Sequence, residues 1–101
     1  MIPTRIKVGR TWYEVKKERL PIGVLGEWRY KDARKQYTDI RVSTGDHIGQ
    51  HTEGVQEEAF WHELTHAILH DMKEAKLNDN EEFVNGFSHR LHKAIKSAEF
   101  K

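Results

Sequence analysis

The sequence predicts a small α+β domain: an antiparallel sheet of three or four strands, then two packed helices. Three observations predict it. Apolar residues recur with a period of two in the first half of the chain and with a helical period after about residue 52. Turn-forming residues divide each half into two segments. A chain of 101 residues, 37% apolar and 33% charged, can build one modest core, so a single domain over 1–101 is expected.

The first strands lie in "TRIKVGRTWYEVKK". Ile6 and Val8 alternate with Arg5 and Lys7, and Tyr13 and Val15 alternate with Trp12, Glu14 and Lys16. Gly9-Arg10 suits a two-residue hairpin turn with glycine first. A second pair is predicted over 24–30 and 37–43, joined by the polar "KDARKQ", with Pro21 and Gly23 punctuating its entry. Residues 44–51 are polar and contain glycine, as a loop does, and Thr52 is placed to cap a helix running to about residue 72. Residues 73–80 read as a polar connection before a second helix over about 81–98. Two capping boxes are available at its start, Asp79 with Glu82 or Asn78 with Glu81.

Within the first helix, "FWHELTHAILHDM" sets His62, Glu63 and His66 in the spacing H-E-x-x-H. At about 100° per residue the two histidines stand about 40° apart, one turn from each other. Both imidazoles can then reach one ion at the roughly 2.0–2.1 Å of a zinc–nitrogen bond. Phe60, Trp61, Leu64, Ala67, Ile68 and Met72 gather on the opposite side, ready to pack on the sheet. Glu63, about 100° round from His62, is set to deprotonate a water at the metal without becoming a ligand.

The chain has no cysteine, so the third ligand must be His, Asp or Glu. The extended pattern H-E-x-x-H-x-x-G-x-x-H is excluded, because Leu69 and Met72 occupy its glycine and last histidine. His70 lies too far along the helix and is expected to cap its end. The second helix, "DNEEFVNGFSHRLHKAI", offers Glu81. With Phe83 and Phe87 packed inward, Glu81 can turn towards the metal cleft, and Asn85, one turn on, can orient a ligand by hydrogen bonding. Glu81 is the favoured ligand if Asp79 and Glu82 form the capping box; Glu82 is the alternative if Asn78 and Glu81 do. His47, His51, His89 and His92 are expected at the surface. Trp12, Trp28 and Trp61 are read as packing residues, and Arg29, Lys31, Arg34 and Lys35 as a solvated turn.

"HELTHAILH" followed by "EEFVNGFSHRL" resembles the gluzincin pattern and, more narrowly, the small zincin-like peptidases of the ImmA/IrrE type found in phages and bacteria. Their second helix reads E-x-x-A-N-x-F-A-x-x-L, matched here by Glu81, Val84 in place of Ala, Asn85, Phe87, Ser88 in place of Ala, and Leu91. The match covers roughly the C-terminal 45 residues. The resemblance implies that His62, His66 and Glu81 bind zinc and that Glu63 is the catalytic base. It also implies that the strand at about 38–43 is an exposed edge pairing with extended substrate. The expected activity is zinc-dependent hydrolysis of a peptide bond in a protein or peptide; the rival is a non-catalytic, metal-stabilised interaction module. A net charge of +1 argues against nucleic acid as main partner. The alternating N-terminus is not expected to be a signal peptide, and no apolar run approaches the roughly 20 residues of a membrane span. A cytoplasmic monomer is expected.

Overall fold

The computed structural model describes residues 2–30 and 38–100. The predicted turn at 31–36 and Tyr37, the first residue of the predicted last strand, lie outside the described residues. Four strands appear among those described: β1 (Arg5–Val8), β2 (Thr11–Glu18), β3 (Gly26–Arg29) and β4 (Asp39–Ser43). Gly9 takes φ +60 in the turn between β1 and β2, and the two strands pair antiparallel with Ile6 opposite Tyr13.

The strand order is β1-β2-β4-β3. β4 runs antiparallel to β3 but parallel to β2, so the sheet is mixed where an antiparallel one was expected. The chain skips a place after β2, lays down β3, and returns to fill the gap with β4. Burial explains the choice. Ile40 and Val42 are wholly buried, and Asp39 and Ser43 are each 1% exposed; a strand covered on both faces belongs in the middle. The expectation that residues 38–43 form the exposed edge is therefore wrong. That edge is β3, which among the described residues pairs with β4 alone.

Asp39 ties β2, β4 and β3 together. Arg29 donates to it from Nε at 2.7 Å and from Nη2 at 2.6 Å, and Lys16 Nζ stands 3.3 Å away. Burial opposes its charge, but these two cations outweigh burial and hold its pKa below the usual carboxylate range.

The helices are α1 (Glu53–Asp71), the short α2 (Ala75–Asn78) and α3 (Glu81–Ser97). Thr52 caps α1 as predicted, its Oγ1 accepting the Val55 N–H at 3.3 Å. Phe60, Leu64 and Ala67 pack against Val8, Tyr13, Ile40 and Val42 to form the core. Met72 does not join them; it follows the last turn of α1 and is 59% exposed. α2 replaces part of the expected polar connection. Neither predicted residue caps α3: Asn80 does, its Oδ1 accepting the Phe83 N–H at 3.1 Å.

α3 is rotated from its expected setting. Val84, Ser88 and His92 are its buried residues, while Phe87 and Ile95 are about half exposed and Phe83 stacks on Phe87 at 5.8 Å. Small side chains at 84 and 88 let the two long helices approach closely. His92, expected at the surface, is drawn inward by α1: its Nδ1 lies 2.5 Å from Glu58 Oε2, and His89 Nδ1 lies 2.8 Å from Glu58 Oε1. Because 81, 84, 88 and 92 share one stripe of a helix, the same rotation carries Glu81 towards α1. Among the described residues no helix is long and apolar enough to cross a membrane.

Candidate metal centre

His62 and His66 leave α1 on one face, with ring centroids 5.0 Å apart. Glu81 reaches them from the first turn of α3. Its Oε2 is 3.3 Å from His62 Nε2 and its Oε1 is 3.1 Å from His66 Nε2. Ligand atoms around one tetrahedral ion with bonds of about 2.0–2.1 Å are spaced about 3.3–3.4 Å apart. Each imidazole stands near that spacing from one Glu81 oxygen.

His66 Nδ1 lies 2.5 Å from Asn78 Oδ1, a contact that orients the ring with Nε2 towards Glu81. Burial holds the His62 pKa below its ordinary value, which Glu81 and a hydrogen bond with the Asn85 side chain only partly offset, so this imidazole is neutral near pH 7. Two imidazoles and one carboxylate suit a zinc-like divalent ion.

Glu63 occupies a different place. With the two histidines it forms the group whose ligand atoms all lie within 4.8 Å of one another, a group that does not include Glu81. Yet its Oε2 is 3.9 Å from His62 Nε2, beyond a tetrahedral edge, and the carboxylate is bonded by the backbone N–H of Trp28. Geometry thus sets Glu81 across the two imidazoles and Glu63 beside them. Burial pushes the Glu63 pKa up to about 7; His66 opposes the rise, and Glu81 and Glu27 add to it. A carboxyl group that gains and loses its proton near neutrality is what a general base and acid requires.

β3 forms one wall. The Leu25 carbonyl accepts the Ser43 N–H, so the alternate residues Gly26 and Trp28 turn their N–H and C=O groups away from β4. Trp28 gives its N–H to Glu63. A Cβ on Gly26 would stand 3.0 Å from Glu63 Cγ and 3.1 Å from the Arg41 carbonyl oxygen, so glycine is what lets the carboxylate lie against this strand. The Trp28 ring stacks on His66 with centroids 6.3 Å apart, while its Nε1 donates to Tyr13 Oη at 3.4 Å.

Of the residues predicted from sequence, His62, Glu63, His66, Glu81 and Asn85 come together. Glu82 does not; it lines an outer recess with Phe83, Phe87 and Arg90. His70 stays out of the site, its ring against Tyr30 at 4.3 Å and Trp28 at 5.2 Å. Asn78 and Trp28 were missed, the first weighed only as a cap and the second only as packing. Nothing local marks Asn78, because its reach depends on α2. No protein-family model matches the chain, and no curated protein or solved structure matches it either.

Proposed function

We propose that the protein is a zinc-dependent metallopeptidase that hydrolyses a peptide bond in a substrate held along β3. The observation that carries this reading is the Glu81 carboxylate set at 3.3 and 3.1 Å from the two Nε2 atoms. His62, His66 and Glu81 would hold the ion. Zinc in such a site supplies Lewis acidity and lowers the pKa of a water it contacts towards about 7.

The chain's own residues do the rest. Glu63 takes the proton of the attacking water and delivers it to the leaving amine. Asn78 and Asn85 hold the imidazoles in register. Gly26, with its backbone groups turned outward, offers hydrogen bonds to an extended peptide, the mode in which a strand adds to an open sheet edge. A cytoplasmic setting suits a chain with no cysteine.

Cleavage of an unstructured protein by the zinc-loaded chain tests the reading. Glu63→Gln should lower the rate at least 100-fold and keep the metal, and His66→Ala should lose both. Cleavage by Glu63→Gln at the unsubstituted rate would refute it. So would a zinc-loaded protein that binds peptides and cuts none, which is the behaviour of an interaction module using the β3 edge.

A further inference from the structure

Beside His62 and Glu63 the cleft opens into a cavity of about 490 Å³. That is within the roughly 300–1,000 Å³ typical of ligand pockets. Val24, Leu25, Val55 and Ala59 supply its apolar walls, with Asn85 and Ser88 on the α3 side. Leu25 is 49% exposed and Val55 38% exposed, and neither belongs to the core cluster. The fold gains little from these two side chains where they stand, so their apolar surface is available to a ligand.

Among the described residues, Glu58 is the one carboxylate lining this cavity apart from Glu63. Both of its oxygens are already bonded to His89 and His92, which leaves it poorly placed to bind a cationic side chain. On the other side of Glu63 the cleft changes character, and Glu27, Asn78 and Asp79 line it with Trp28. Gly26 and Glu63 border both recesses. A peptide lying along β3 with its scissile bond at Glu63 therefore has an apolar recess on one side and a polar one on the other.

Resting on the metallopeptidase reading, we infer that the cavity beside His62 selects a large uncharged side chain (Leu, Ile, Met or Phe) on one fixed side of the scissile bond, with Leu25 and Val55 as its specificity determinants. The preference is one of size and polarity. Truncating the selected residue to Ala leaves apolar wall unfilled, and placing Lys or Asp there desolvates a charge without a free partner.

The test uses the zinc-loaded protein and a set of quenched-fluorescent peptides differing at the two residues flanking one bond. Leu, Met or Phe on one constant side of the cut is expected in every good substrate. Ala at that position should lower kcat/KM at least tenfold, and Lys or Asp at least 100-fold. Val55→Trp, which fills the cavity from its rim, should reverse the order so that Ala outperforms Phe, and Leu25→Ala should flatten it. Cuts with no apolar preference, or with a preference for Lys or Arg, would overturn the inference while leaving the hydrolase intact. Peptide binding to Glu63→Gln, followed by calorimetry, separates the two ideas. Leu peptides binding at least tenfold tighter than Ala peptides, with no cleavage by the unsubstituted protein, would keep the pocket and remove the hydrolase. Equal binding of both would remove the pocket.

Discussion

Replacing Glu63 by Gln should make the metal-free protein more stable by an amount that grows from about pH 4.5 to neutrality and holds above it, and change little below pH 4.5. The reason is the buried carboxyl, whose pKa rises from 4.5 to about 7 on folding. Between those values the folded chain binds the proton and the unfolded chain does not, so stability falls as pH rises and stays low above 7. At ~1.4 kcal/mol per pH unit, the interval corresponds to about 3 kcal/mol lost between pH 4.5 and 8. Gln has nearly the shape of the protonated acid and no titration, so the loss should vanish in the variant. Urea unfolding in the presence of a chelator, at pH 4.5 and pH 8, measures this directly. The variant's advantage should grow by about 3 kcal/mol between the two, which for a domain of this size is a melting-temperature gap of at least ~10 °C at pH 8. A difference that stays within about 1 kcal/mol across that range would refute the reasoning, because it would mean that folding does not desolvate the Glu63 carboxylate.

Two further outcomes follow from the same geometry. Asn78→Ala should weaken zinc binding by about 10–100-fold, since the His66 ring loses the partner that orients it; competition against a fluorescent chelator reads this, and an unchanged affinity would dismiss the Asn78 contact. Asp39→Asn should cost about 3 kcal/mol of unfolding free energy, the lower end for breaking a buried ion pair, because Arg29 and Lys16 keep some contact with water. Its lowered pKa has a matching pH signature: stability present above about 3.8 is lost as pH falls through the folded value, and the Asn variant should lack that acid limb.

The helix carrying His62, Glu63 and His66 was legible because helical spacing is local. Five residues of "HELTH" fix a face, and the period of α1 fixes which side packs on the sheet. Glu81 was legible for a less secure reason. It was expected to turn inward with Phe83 and Phe87, whereas it does so because Val84, Ser88 and His92 form the buried stripe. Apolar residue type misled here: two phenylalanines satisfied by stacking on each other looked like core, and a histidine bonded to Glu58 looked like surface. Strand existence was readable from alternation, but strand order was not, since the pairing of β4 between β2 and β3 is settled by long-range burial. That error moved the expected substrate edge from β3 to β4. Asn78 depended on a four-residue helix no periodicity could announce.

Elemental analysis of the purified protein is the most direct check on the whole account. His62, His66 and Glu81 converging on one point predicts one zinc per chain, reduced to trace in His66→Ala and Glu81→Ala and retained in Glu63→Gln. A protein that carries no zinc after incubation with it, or one whose Glu81→Ala variant holds the metal undiminished, would contradict the site on which the proposed chemistry rests.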